Sequence, residues 1–383
     1  MGGPTYNAAY LTRYLPPEYE TLLISGMKDE SEESSEFILR KLGIDPVYIP
    51  EMKRDIDPKN DRIAYNKIKQ VIKNFKPEIV HTHASKAGTI GRIAAIKCGV
   101  PVIVHTFHGH VFHSYFNPFT SRIFMEIEKY LARRSSAIVA ISEIQKQELV
   151  HEFKIASEDK VKVIPLGFDL SRFRENQEKN RKNFRDKYNL TDEVAIGIVG
   201  RLVPIKNHDM FLSALKIVKR EAQKKFKAFI IGDGQNRTHL EKLVEEFGLQ
   251  NDVIFTSWIK NIEKPMAGLD IIALTSLNEG TPVSLIEAQA ADKPVVSTDV
   301  GGIGNVVLKD ITGLLSPADN IELFAKNLLK LINYEDYRVE MGHKGWDFIR
   351  NKYNYTRLIE DTSSLYSELR TNNNRLVTVA NNN

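Results

Sequence analysis

At 383 residues the chain exceeds one typical domain, and two are expected. Hydrophobic residues at 42% and charged residues at 27% give the balance of a soluble globular protein, and a net charge of +4 makes no case for nucleic acid. No apolar run is long enough to span a bilayer and no secretory signal pattern is present; one cysteine, Cys98, excludes an internal disulfide framework and fits packing in a reducing cytoplasm.

Met1-Gly2-Gly3-Pro4 reads as the turn after the first strand of a parallel α/β domain, and residues 6–14 as the helix that follows. No strand precedes that turn, although the first strand of a doubly wound sheet usually lies centrally, beside the topological switch point. The expectation is therefore that an N-terminal strand of the natural protein is missing. Short apolar runs bounded by turn signals then recur at 21–25, 46–49, 79–83, 100–106, 137–141 and 161–165. A second series lies at 194–200, 228–231, 253–257, 271–275 and 294–298. Helical patterns separate the runs, which is the order of an α/β protein with parallel sheets. Residues 171–193 are charged, Asn-rich and without a long apolar run, so the boundary is placed there: domains 1–169 and 170–352, then 353–383. Residues 372–383 are polar and expected to be disordered.

Residues 270–302 read DIIALTSLNEGTPVSLIEAQAADKPVVSTDVGG. Thr281 suits an N-cap and Pro282 a first helical position, which puts Glu279 in a strand-to-helix loop and Glu287 in the second helical turn. Free N–H groups at such a helix start attract phosphate, and two acids can accept bonds from sugar hydroxyls. Upstream, the run 194–200 ends in Gly200-Arg201, with Lys206 five residues on. A fork of donors and a mobile point charge at a strand's carboxyl end form a workable diphosphate clamp, against the plain alternative of two surface cations. Gly232-Asp233-Gly234 begins like a dinucleotide fingerprint, but Arg237 stands where the third small residue belongs, so a tight turn is the default.

The GR-x4-K and E-x7-E patterns together resemble the retaining glycosyltransferases of family 4, with a GT-B architecture of two Rossmann-like doubly wound domains facing across a cleft. The resemblance runs along nearly the whole chain. It implies a nucleotide-sugar donor in the second domain, a UDP-sugar ahead of GDP-mannose, and a saccharide or polyprenyl-linked acceptor in the first. Arg201, Lys206, Glu279 and His108 are the implied catalytic residues. Gly2, Gly3, Gly200, Gly232, Trp258, Gly280, Thr281, Pro282, Glu287, Gly301 and Gly302 are implied around the donor. Ser85 and Lys86 are implied on the acceptor side, and residues 355–369 as a helix crossing back to the first domain. No cofactor and no essential metal is implied, with Arg, Lys and helix N-termini in the place of a divalent ion. Asn305 stands near a position that is often acidic in the family.

Four histidines between Val104 and His113 invite a metal reading, but no cysteine or carboxylate accompanies them. The aromatics and cations of 107–134 fit an interfacial surface for anionic lipid and equally an ordinary packed amphipathic helix. The flavour of the chain is that of bacterial surface-polysaccharide enzymes, cytoplasmic and peripheral on the membrane. The competing functions are a UDP-sugar 2-epimerase-like enzyme on the same architecture and a non-catalytic nucleotide-sugar-binding fragment. A dehydrogenase would rest on Gly232 and Gly234 alone.

Overall fold

The computed structural model describes residues 3–26, 36–53, 55–109 and 118–381. The chain divides into two compact units, Met1–Phe168 with Tyr355–Asn383, and Asp169–Asn354. The first unit runs α1 (Gly3–Tyr14), β1 (Ile24–Gly26), α2 (Glu36–Lys41), β2 (Val47–Ile49), α3 (Pro58–Phe75), β3 (Ile79–His83), α4 (Ser85–Lys97), β4 (Val102–Phe107), α5 (Pro118–Arg134), β5 (Ala137–Ala140), α6 (Glu143–Gln147) and β6 (Val161–Val163). The second runs α7 (Gln177–Lys187), β7 (Val194–Val199), α8 (His208–Glu221), β8 (Phe226–Ile231), α9 (Arg237–Glu246), β9 (Val253–Phe255), α10 (Glu263–Gly268), β10 (Ile271–Leu274), α11 (Val283–Ala290), β11 (Val295–Thr298), α12 (Ile303–Val306), β12 (Gly313–Ser316), α13 (Ile321–Asn333) and α14 (Glu335–Ile349). The final helix α15 (Tyr355–Asn381) belongs to the first unit.

Among the described residues every strand pairing is parallel. The second unit holds one six-stranded sheet, ordered β12-β11-β10-β7-β8-β9. The first unit holds two sheets, β1-β2 and β3-β4-β5-β6. Side chains alternate faces along a strand, so β4 shows how the second of these is covered. Val102 and Val104 pack with Tyr10 and Leu11 of α1 and with Leu358 and Tyr366 of α15. Ile103, between them, packs with Ile68 of α3 and Ile90 of α4. Burial on both faces explains why β7 reads as an unbroken apolar run; β4 is buried throughout as well, and its His105 and Thr106 are hydrogen-bonded.

Local signals account for the helices. Asp57 caps α3 by accepting the N–H of Lys59 and Asn60, Pro58 opens the first turn, and Lys76 closes it in a left-handed conformation. Ala64, Ile68 and Ile72 at four-residue spacing form its buried stripe.

Three expectations need correction. Gly3 and Pro4 lie inside α1, not in a preceding turn, because Pro tolerates the first helical turn. The Asn-rich tail continues α15 to Asn381, since adding a residue to a formed helix is far easier than starting one. The edge strand β12, Gly-Leu-Leu-Ser, was not among the expected runs; it is four residues long, has no β-branched residue and is stabilised by pairing with β11.

Arg92 of α4 and Glu128 of α5 form a buried ion pair at 2.6 Å, with side chains 0% and 5% exposed. Arg92→Leu alone should cost about 3–5 kcal/mol by stranding a buried carboxylate. Adding Glu128→Leu should recover most of that loss in chemical denaturation; a double variant no more stable than the single one would contradict it.

Candidate functional site

The switch point of the second sheet falls between β7 and β10, where connections leave in opposite directions. Open α/β sheets bind ligands at the carboxyl ends of such strands. The loops there interlock through backbone bonds. Leu202 N–H donates to the Asp233 carbonyl at 2.9 Å, Leu277 N–H to Ile205 at 2.9 Å, and Gly302 N–H to Glu279 at 2.8 Å. Thr275 Oγ1 donates to the Lys206 carbonyl at 3.1 Å and Thr298 Oγ1 to that of Ser276 at 2.7 Å.

Glycines make this approach possible. A Cβ on Gly232, whose φ is +147°, would lie 1.9 Å from the Gly200 carbonyl oxygen. A Cβ on Gly302 would lie 1.7 Å from that of Gly280. Gly232-Asp233-Gly234 is thus a packing device that fixes the loop carrying Arg201.

Lys206 Nζ sits 2.5 Å from Glu279 Oε1, and Ser276 Oγ donates to the same oxygen at 2.5 Å. Both sequence-predicted residues are therefore brought into direct contact. Arg201 is exposed and its guanidinium makes no bond with the described residues. Glu287 is held by a residue that sequence reasoning passed over: Arg172 Nη2 lies 3.1 Å from its Oε1. Arg172 sits in a short 3-10 turn, Ser171–Phe173, inside the charged, Asn-rich stretch where the domain boundary is placed. Burial raises the Glu287 carboxyl from its ordinary 4.5 to about 7, with the Arg172 charge working against that shift.

The helix start differs from expectation. α11 begins at Val283, with Pro282 as the N-cap at ψ 90° and no side-chain cap, so Thr281 does not cap it. A proline ring fixes φ but leaves ψ free, and here ψ is extended. The consequence is a helix end whose first N–H groups lack a side-chain acceptor, beside Lys206 and Glu279. Cations, open N–H groups and carboxylates in that order can hold an anionic phosphate and adjoining hydroxyls. Trp258 follows β9 and is half-buried, after Ser257 at φ +58°. The Asn305 carbonyl accepts from Tyr353 Oη at 2.8 Å.

In the first unit, His108 follows β4 and its Nε2 lies 3.0 Å from His83 Nδ1. His83 stacks on His81, whose two nitrogens engage Tyr366 Oη at 2.6 Å and Thr106 Oγ1 at 2.7 Å. His105 Nδ1 engages Thr82 Oγ1 at 2.8 Å. Burial pushes His83 down to about 4 and the other three well below their ordinary value, so these rings are neutral hydrogen-bonding groups. Among the described residues no three His, Cys, Asp or Glu side chains are grouped to hold a metal ion. Ser85 opens α4, and Lys86 is tied to α3 through Asp61 Oδ1 at 2.5 Å. Gly2, His110, His113, Phe112, Tyr115 and Phe116 lie outside the described residues.

A family model described as Glycosyl transferases group 1 matches residues 180–347, and one described as Glycosyltransferase Family 4 matches residues 1–172. The Escherichia coli UDP-Gal:alpha-D-GlcNAc-diphosphoundecaprenol alpha-1,3-galactosyltransferase is 26% identical over 324 residues, 84% of this chain and 83% of that protein. The Staphylococcus aureus capsular polysaccharide biosynthesis glycosyltransferase CapM is 29% identical over 324 residues, 82% and 83% of the two chains. Among solved structures, Anabaena Alr3699/HepE in complex with UDP matches with a TM-score of 0.80 at 18% identity, over 96% of each chain. The likeness shows the fold, which is GT-B.

Two outcomes test the geometry. Gly302→Ala should destabilise the second unit by about 1–3 kcal/mol, since the new methyl meets backbone that cannot move aside; an unchanged denaturation midpoint would contradict the contact. For Glu287 the folded pKa is above the unfolded one. Its stabilisation is therefore complete below pH 4.5 and lost as pH rises to about 7. Glu287→Gln cannot ionise, so its melting temperature relative to wild type should rise between about pH 5 and about pH 8; a flat difference would refute the raised pKa.

Proposed function

Because the chain belongs to the glycosyltransferases of group 1 and family 4, we propose that it moves a sugar from a UDP-sugar to a saccharide or lipid-linked acceptor, with retention of configuration, in surface polysaccharide assembly. The observation that carries this reading is the contact of Lys206 with Glu279 past the carboxyl ends of β7 and β10, with Arg201 in the loop after β7 and Glu287 on α11. The E. coli relative is named for UDP-Gal and a diphosphoundecaprenol acceptor, and HepE has been crystallised with UDP and with UDP-glucose, which supports this donor and acceptor class.

In this reading Arg201 and Lys206 clamp the diphosphate, and the start of α11, with Gly280, Thr281 and Pro282 before it, adds N–H donors. Their positive potential takes the part of a divalent ion. Lys206 leaves Glu279 as phosphate arrives, and the freed carboxylate accepts from sugar hydroxyls. Glu287 accepts from the ribose hydroxyls with Arg172 as its counter-charge. Main chain at Trp258 borders the base, Gly301 and Gly302 border the sugar, and neutral His108 orients the sugar undergoing transfer. Ser85 and Lys86 flank the acceptor. The bond from the anomeric carbon to the diphosphate oxygen breaks, a bond to the acceptor oxygen forms on the same face, and the acceptor proton passes to the departing phosphate. Developing charge on that phosphate makes Arg201 and Lys206 the largest electrostatic contributors. Exposed Ile123 and Tyr130 on α5, with Arg134 stacked on Tyr130 at 4.6 Å, favour peripheral contact with a membrane surface.

Thermal stability against UDP, GDP, ADP and their sugars tests the donor. A nucleotide at about a hundred times its Kd adds roughly 2.7 kcal/mol, and UDP should give that shift only while Arg201 is present. Lys206→Ala should lower kcat roughly 10²-fold with a smaller change in KM. A clean melt that no nucleotide moves would overturn the reading, and conversion of a UDP-sugar without acceptor would replace it with an epimerase.

A further inference from the structure

Arg237 opens α9, at the place where a dinucleotide fingerprint has its third small residue, and the site described above gives it no part. Its guanidinium is gripped on several sides. Nε donates to Glu241 Oε1 at 2.8 Å, and Nη1 to Asp233 Oδ2 at 3.0 Å and to Ser257 Oγ at 2.6 Å. The same group lies 5.5 Å from the ring centroid of Phe255, the last residue of β9. Two carboxylates balance its charge, so it is not available to phosphate in the manner of Arg201. A fork of donors held this way fixes the position of what it touches.

What it touches is a strained residue. Ser257 has φ +58°, a left-handed conformation that glycine adopts freely and that costs energy in a residue with a Cβ. Such a conformation persists where its neighbours over-determine it. Here Arg237 takes the hydroxyl, while the Ser257 carbonyl accepts from Thr256 Oγ1 at 3.0 Å and from the N–H of Gly232 at 3.2 Å. Trp258 and Ile259, both half-buried, follow directly.

The turn is linked to the diphosphate clamp and set apart from it. Gly232 packs on the carbonyl of Gly200, the residue ahead of Arg201. β8 pairs with β7 on one side and β9 on the other. Neighbouring strands lie about 4.8 Å apart, so the turn after β9 stands about 10 Å from the loop after β7. A bare diphosphate held at Arg201 does not extend across that distance; a nucleoside attached to it does.

We propose that Arg237 and Ser257 are positioning residues for nucleoside selection: their contact holds the turn 257–259 in the one shape that accepts the donor's base. This rests on the reading above, in which main chain at Trp258 borders the base of a UDP-sugar. Arg237 touches no substrate. It acts through Ser257, and the diphosphate is left to Arg201 and Lys206.

Calorimetric titration of the full chain with UDP, GDP and inorganic pyrophosphate tests this. Arg237→Met should weaken UDP about tenfold, a loss on the scale of one or two hydrogen bonds, and leave pyrophosphate within about twofold. Its preference for UDP over GDP should shrink accordingly. Arg237→Lys reaches Asp233 or Ser257 but not both, and should fall between. Ser257→Gly takes the left-handed conformation without strain, so it folds, and loss of the hydroxyl should weaken UDP in the same selective way. The chain has two tryptophans, so in a Trp346→Phe background Trp258 reports alone, and acrylamide should quench it more strongly once Arg237 is Met. Equal losses for UDP and pyrophosphate would overturn the proposal, because the grip would then serve Arg201 and not the base. Unchanged UDP binding in Arg237→Met would overturn it as well. A wild-type chain that binds pyrophosphate as tightly as UDP would overturn the donor reading and this proposal with it, and that failure shows before any variant is made.

Discussion

The loops at the carboxyl ends of β7, β8, β10 and β11 keep their shape because main chain meets main chain with no side chain between. Gly232 lies on the Gly200 carbonyl and Gly302 on that of Gly280, at distances that exclude any Cβ. Three charged residues of the site hang from this lattice. Arg201 precedes Leu202, which is bonded to Asp233; Lys206 is held by its carbonyl to Thr275; Glu279 is held by its carbonyl to Gly302. The backbones are fixed while the side chains they carry remain free to change partners. That combination is what a binding site for a charged substrate needs, since little reorganisation remains to be done when the ligand arrives.

The charges are balanced before any ligand is present. Lys206 neutralises Glu279, and Arg172 opposes a Glu287 whose burial would otherwise favour its neutral form. Each pair lowers the cost of keeping a carboxylate partly out of water. In the proposed reading, a diphosphate entering beside Lys206 substitutes one anion for another, so the carboxylate is released only when the phosphate is in place. Arg201 is exposed and has no side-chain partner among the described residues, and in the proposed reading it is the cation that meets the substrate first. Arg offers a rigid fork suited to phosphate and Lys a mobile charge that can leave one anion for the next.

Much of this was legible in the sequence, and the exceptions have physical reasons. The strands of the two cores are β-branched runs, and Arg201, Lys206, Glu279 and Glu287 sit at spacings that survive in one dimension. The Gly232-Asp233-Gly234 turn was visible, but its cause was not, because the colliding carbonyls belong to Gly200 and Leu202 on another strand's loop. Arg172 was missed for the same reason: its importance comes from Glu287, which only folding brings to it. Thr281 reads as a cap from residue type, yet capping depends on ψ of the next residue, and Pro282 places it one step outside the helix. Lys86, implied on the acceptor side, is paired with Asp61 on a separate helix, a contact that spacing along the chain does not show. β12 depends on its neighbour and not on its own propensity.

The two units apply parallel sheets to different chemistry. In each, the residues with chemical character cluster past the carboxyl ends of strands: cations and acids after β7 and β10, histidines at the ends of β3 and β4. The difference lies in the partners. Lys206, Glu279 and Glu287 of the second unit pair with opposite charges. The histidines of the first, held toward the neutral form by desolvation, bond to hydroxyls and to one another, which favours directional hydrogen bonds over Coulomb attraction. In the proposed reading, charged groups in one unit suit the holding of an anionic group and neutral hydrogen-bonding groups in the other suit uncharged hydroxyls, the two demands that transfer of a sugar from a diphosphate makes.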